Sequence, residues 1–168
     1  IATHEWGEQV AQKITVFYTP MDQPKNAYKW TPPTRSPNQK AKIFWAGRFD
    51  RQKRLGVAIE LARRNVQWEF HAWGQAMLDS PLDVSTLPPN FIVHEPYADI
   101  DDLPFDECDV WLYTAEWDGI PQQLIELGLR QVPVVSSQVW GISEVINERT
   151  AFPVSEIYDV TKYEEQLN

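Results

Sequence analysis

From Lys42 to Val154, short apolar runs alternate with segments of helical spacing, and this alternation constrains the fold more than any other feature. The runs are Lys42 to Ala46, Trp68 to Trp73, Phe91 to His94, Val110 to Ala115, Val132 to Ser136 and Ala151 to Val154. Their continuous apolar character suits strands buried on both faces. Between them, Leu55, Ala58, Ile59 and Ala62 mark one face of a helix expected over Lys53 to Asn65. Leu124, Leu127 and Gly128 do the same after the fourth run, with Ile125 and Leu129 widening that face. Ile100 to Phe105 reads as a short acidic helical or irregular piece, Ile142 to Asn147 as a short helix, and Val160 to Leu167 as the final helix. Met77 to Asn90 is a proline-containing connection, with a short helix near Met77. Strands alternating with helices predict a Rossmann-like α/β fold: a doubly wound parallel sheet of about six strands with helices on both faces.

The segment before Lys40 lacks this rhythm. Thr3 would cap a short helix to Lys13, and Ile14 to Tyr18 reads as a strand. Thr19 to Gln39 is rich in Pro, Asn, Thr and Lys, as a linker or a surface-hugging loop would be. The expected division is a connecting segment at 1–39 and a domain at 40–168. The first residue is Ile1 rather than Met, so the chain is expected to be a piece of something longer.

A net charge of −9 argues against nucleic acid as a partner, because that needs clustered Lys and Arg. The single cysteine, Cys108, forms no internal disulfide and fits a reducing, cytoplasmic setting. No Cys/His cluster has zinc spacing, and no apolar run approaches the roughly 20 residues that span a bilayer. No signal peptide is present in the sequence.

Candidate site residues gather where strands should end. Asp118 follows the fourth strand, Gly119 permits a sharp turn, Pro121 suits a first helical turn, and Glu126 lies about a turn inside the helix. In an open parallel sheet, ligands bind beyond the carboxyl ends of the strands. Gly47-Arg48 follows the first strand and Lys53 stands near the next helix, where both reach a phosphate or are simply solvated. Neither a P-loop nor a Gly-x-Gly-x-x-Gly fingerprint is present. His71 reads as a packed strand residue, while His94 ends its strand at the binding edge. Cys108 reads as a small, semi-buried residue. Trp45, Trp68, Trp73 and Trp111 read as core. Trp117 and Trp140, in strand-end loops, wall a ligand pocket or cover the sheet edge, and the covering role is preferred.

Three ordered motifs carry a family resemblance. Ala46-Gly47-Arg48-Phe49 with Lys53, Asp109 to Thr114 with Asp118-Gly119-Ile120-Pro121 and Glu126, and Val132 to Ser137 with Gly141 to Ile146 together resemble the group 1 retaining glycosyltransferases. The match runs from about Lys42 to Val154. The resemblance implies the C-terminal, donor-binding half of a two-domain GT-B fold. Its partners would be a nucleotide diphosphate sugar and an N-terminal acceptor domain, through which peripheral membrane association is also open. No cofactor and no metal are expected. By resemblance, Arg48 and Lys53 would hold the donor diphosphate. Backbone amides near Gly119, Ile120 and Gln122 would contact phosphate or sugar. Asp118 would contact the donor sugar, and Glu126 the ribose hydroxyls. Asp118 replaces the usual Glu, Pro121 a frequent Gly, and Trp140 the first Gly of a Gly-Gly pair, which would crowd that loop. The alternatives are a noncatalytic nucleotide-sugar-binding or interaction module on the same fold, or a related nucleotide-sugar epimerase.

Overall fold

A computed structural model describes residues 20, 29–76 and 82–168. The helix and strand expected before Thr19, and the short helix near Met77, lie outside the described residues. Strands β1 (Ala41–Ala46), β2 (Trp68–Trp73), β3 (Phe91–His94), β4 (Val110–Tyr113), β5 (Val134–Ser137) and β6 (Phe152–Val154) alternate with helices α1 (Leu55–Arg64), α2 (Gln122–Leu129) and α3 (Val160–Leu167). All strand pairs are parallel, in the order β3-β2-β1-β4-β5-β6. The chain winds outward in one direction from β1 and in the other from β4. Connections of one hand then place their helices on opposite faces.

The two cores follow from strand alternation. In β1, Ile43 and Trp45 face one core while Phe44 and Ala46 face the other. The first core contains Leu55, Ala58, Leu61 and Ala62 of α1, with Tyr163 of α3. The second contains Leu124 and Leu127 of α2, with Ile100, Leu103 and Phe105 from two short 3-10 turns. Trp45, Trp68, Trp73 and Trp111 are all buried, as expected. Cys108 is fully buried rather than semi-buried, closing the second core at the foot of β4.

Residues 29–39 hug the surface. The Trp30 indole donates to the Cys108 carbonyl at 2.7 Å. The Arg35 Nε lies 3.0 and 2.8 Å from the two carboxylate oxygens of Asp109. Of the two readings of this stretch, the packed one therefore holds for its described part.

Several boundaries differ from expectation. Helix α1 starts at Leu55 rather than Lys53 because Arg54 is left-handed, with φ 53° and ψ 50°. Pro121 is not in the first helical turn but caps α2 from an extended conformation, φ −72° and ψ 115°. The helix expected over Ile142 to Asn147 is a 3-10 turn over Trp140–Glu144. Beyond it, the Asn147 side chain accepts from the Arg149 N–H at 2.9 Å, a local bond that competes with helix continuation.

Candidate functional site

The strand order reverses between β1 and β4, and the crevice beyond their C-terminal ends is where such sheets bind ligands. Gly47-Arg48 leaves β1 there, and Ala115 to Ile120 leaves β4. Gly74, at φ 153°, lets β2 leave the sheet tight against β1; a Cβ at this position would lie 2.0 Å from the Gly47 carbonyl oxygen.

Lys53 and Asp118 meet across this crevice. The ammonium donates to Asp118 Oδ2 at 2.7 Å and lies 3.0 Å from the Tyr113 hydroxyl. Tyr113 in turn donates to the same Oδ2 at 2.6 Å, and its ring lies 5.1 Å from the ammonium. The Gly119 N–H reaches Asp118 Oδ1 at 2.9 Å. Lys53 is itself anchored: its carbonyl accepts from Thr114 Oγ1 at 2.7 Å, and that hydroxyl accepts from the Trp45 indole at 3.0 Å. Burial pushes the Asp118 carboxyl up. The bonds from Lys53 and Tyr113, together with the Lys53 charge, outweigh burial and hold it below the ordinary carboxylate range. Burial and the adjoining Asp118 push the Tyr113 phenol upward, so it stays a donor.

Arg48 stands at the mouth with its side chain half-exposed, paired with Asp50 at 3.0 Å and donating to Gln52 at 2.8 Å. Gln52 ties this loop to the other side of the crevice by donating to the Trp117 carbonyl at 3.0 Å. Gly119 is exposed and Ile120 half-buried, and no side chain caps α2, whose first N–H groups, those of Gln122 and Gln123, have no partner within the helix.

Glu126 contacts neither Arg48 nor Lys53 among the described residues. It sits in the second turn of α2, on the side of Tyr97, whose hydroxyl accepts from Gln123 at 3.1 Å. Tyr97 also lines a cleft of about 180 Å³ with Gly47, Arg48, Trp73 and Gly74, so the α2 side and the Arg48 side meet at this residue. Burial and the charges of Asp99 and Asp101, partly offset by Arg130, raise the Glu126 carboxyl above its ordinary 4.5.

The structure thus brings Lys53 and Asp118 into contact and leaves Arg48 and Glu126 on the flanks. Tyr113, Gln52 and Tyr97 escaped the sequence reading. Only Tyr113 carried a signal there, as an apolar-run residue with a hydroxyl at the binding edge. His94 is engaged within the sheet: its ring stacks on Trp73 at 4.5 Å, and its Nε2 lies 2.9 Å from His71 Nδ1. Trp140 does not crowd its loop. It takes a left-handed φ of 49° and points outward, 62% exposed. The tight position is Gly141, where a Cβ would lie 2.2 Å from the Gly119 carbonyl oxygen.

A doubly wound parallel sheet with its polar residues at the switch point defines a Rossmann-like α/β domain. The sequence profile described as glycosyl transferases group 1 matches residues 40–167, and the chain belongs to that family. A comparison with curated proteins gives no match. Among solved structures, the lipopolysaccharide outer core galactosyltransferase WaaB in its apo form superposes with a TM-score of 0.71 at 19% identity, covering 94% of this chain and 46% of that one. The C-terminal domain of the group 1 protein LpcC from Francisella tularensis gives 0.60 at 16% identity, covering 81% of this chain and 82% of that one. The Anabaena protein HepE, in complex with UDP-glucose, gives 0.62 at 15% identity, covering 77% of this chain and 39% of that one. The chain therefore spans less than half the length of WaaB and matches a C-terminal domain over most of both chains. No helix among the described residues is long and apolar enough to cross a membrane.

Proposed function

We propose that residues 40–168 are the donor-binding half of a retaining glycosyltransferase, taking a sugar from a nucleoside diphosphate sugar to an acceptor held by a second domain. The observation that carries this reading is the Lys53–Asp118–Tyr113 cluster at the switch point, beside the uncapped start of α2. When the bond from the anomeric carbon to the diphosphate breaks, negative charge grows on the leaving oxygens. Lys53, Arg48 and the N–H groups of Gln122 and Gln123 are preorganised to meet that charge. No metal or cofactor is invoked, since these groups supply the positive charge. Asp118, kept ionised by Lys53 and Tyr113, accepts from the donor sugar hydroxyls, with the amides of Gly119 and Ile120 alongside. Glu126 accepts from the ribose hydroxyls, and a carboxylate disfavoured by burial gains from such donors. The UDP-glucose complex of HepE makes UDP sugars the first ligands to test.

Titration calorimetry of this chain against UDP-, GDP- and ADP-sugars tests the reading. Binding of one of them, weakened about tenfold by Glu126→Ala, is expected. Failure of every nucleotide sugar to bind sinks it. A second reading, binding without transfer, rests on the use of both Asp118 oxygens inside the protein. Transfer by a longer parent that carries the opposite domain excludes it.

A further inference from the structure

Arg48 reaches the mouth of the crevice on a side chain that is 54% exposed. A long cation on the surface samples many rotamers, and freezing it on a ligand costs affinity. Two neighbours in its own loop remove much of that freedom in advance. Asp50 Oδ2 lies 3.0 Å from Arg48 Nε, and the Gln52 carboxamide oxygen accepts from Nη2 at 2.8 Å. Two anchors at two nitrogens fix the plane of the guanidinium. Nη1 makes no bond among the described residues.

The two anchors differ in kind. Asp50 is a carboxylate and offsets part of the charge it holds. Its other oxygen accepts from the Lys53 backbone N–H at 2.9 Å, so it serves the loop as well. Gln52 is neutral and orients the guanidinium without cancelling its charge. It also crosses the crevice. Its Nε2 donates to the Trp117 carbonyl at 3.0 Å, and its own carbonyl accepts from the Glu116 N–H at 2.8 Å. Glu116 and Trp117 directly precede Asp118, so one residue joins the arginine to the turn that carries the proposed sugar contact.

Neither hydrophobic core includes the Gln52 side chain, and both of its side-chain bonds are exposed. Water satisfies such groups nearly as well when the bonds are absent, so they add little to stability. Their effect is to order the loop around Arg48.

We propose that Gln52 is a positioning residue for the donor diphosphate, which holds the Arg48 guanidinium in plane and in register with the backbone before Asp118. The proposal rests on the donor reading of the crevice and deepens it. Gln52 acts through Arg48 and need not touch the phosphates itself.

The test is a double-mutant cycle on the 168-residue chain, with Gln52→Met, Arg48→Ala and the two combined. Methionine keeps the length of the side chain and removes both of its bonds. Binding of UDP, GDP and ADP is followed by NMR shift titration, which reads millimolar affinities. For the nucleotide that binds tightest, Gln52→Met alone is expected to weaken binding about three- to tenfold. Added to Arg48→Ala, it should change affinity by less than about twofold. In the free chain, side-chain nitrogen relaxation should show Arg48 more mobile in Gln52→Met. Equal losses in the two backgrounds would mean that Gln52 only shapes the loop, which overturns the proposal and leaves the donor site standing. An unchanged affinity in the single variant, or an Arg48 equally ordered without Gln52, does the same. If none of the three nucleotides binds the unaltered chain, the donor reading fails and the proposal falls with it.

Discussion

Tyr113 sets the electrostatics of the crevice, since its hydroxyl and the Lys53 ammonium share one oxygen of Asp118. Tyr113→Phe removes one donor from the carboxylate and leaves the ring. The Asp118 titration, followed by carboxyl NMR, is expected to move upward toward 3.8, with a loss of about 0.5–1.5 kcal/mol of stability at neutral pH. The sign follows from the depressed folded value: the contribution is present above 3.8 and lost as pH falls through the folded value. An unchanged midpoint would show that Lys53 alone holds the carboxylate. Glu126 has the opposite sign. Its raised value favours the protonated native state, so stability is greatest below 4.5 and falls as pH rises through the folded value. Glu126→Gln should therefore raise Tm at neutral pH, give no gain near about pH 4, and weaken UDP binding. A variant that loses stability at neutral pH would contradict the burial argument. Asp118→Ala, by contrast, should spare free UDP, which lacks the sugar that Asp118 is proposed to contact. Calorimetry showing equal UDP losses in Asp118→Ala and Glu126→Ala would refute that division of roles.

At the scale of elements, α2 is closed by a Schellman motif. The Val132 N–H donates to the Leu127 carbonyl and the Gln131 N–H to the Gly128 carbonyl, each at 3.0 Å, with Gln131 at φ 61°. Glycine is preferred there, so Gln131→Gly relieves backbone strain far from the crevice. A stabilisation of up to about 1 kcal/mol, read as roughly 2–4 °C in Tm, is expected. A fall in Tm would mean that the entropy glycine adds to the unfolded chain wins. The loop after β5 offers the reverse case. Gly141→Ala places a Cβ against the backbone of Gly119 and must push the two loops apart. Overpacking of this kind costs about 1–3 kcal/mol, and here it also displaces Asp118. Thermal unfolding and UDP-sugar calorimetry should both register the change.

For the whole molecule, the crevice has one wall in the described residues. The proposed nucleotide sugar would lie along α2, Lys53 and Arg48, and nothing among the described residues covers its other side. Holding an acceptor at the anomeric carbon and excluding water account for much of the rate in two-substrate transfer. This chain alone is therefore expected to bind a nucleotide sugar weakly and to transfer nothing measurable. A longer parent with the opposite domain should turn over in the same radiolabelled-sugar assay. Comparable turnover by the short chain would refute the two-wall division.

Strand and helix identity was legible in the sequence because both depend on local periodicity. Apolar runs such as Trp68 to Trp73 bury both faces, and the 3.6-residue spacing of α1 buries one. The motif order around Arg48, Lys53, Asp118 and Glu126 was equally legible, since parallel α/β topology sends every such loop to one edge. The contacts among them were not. The Lys53–Tyr113–Asp118 bonds join residues 60 and 65 positions apart, and their distances depend on how β1 and β4 pair. Backbone strain was equally hidden, because the left-handed φ at Arg54, Gln131 and Trp140 runs against each residue's own local preference. The sequence brought Lys53 and Asp118 to the ends of β1 and β4. Tertiary packing decided that Asp118 is held by Lys53, that Gly141 rather than Trp140 is the tight position, and that Trp140 stands outward.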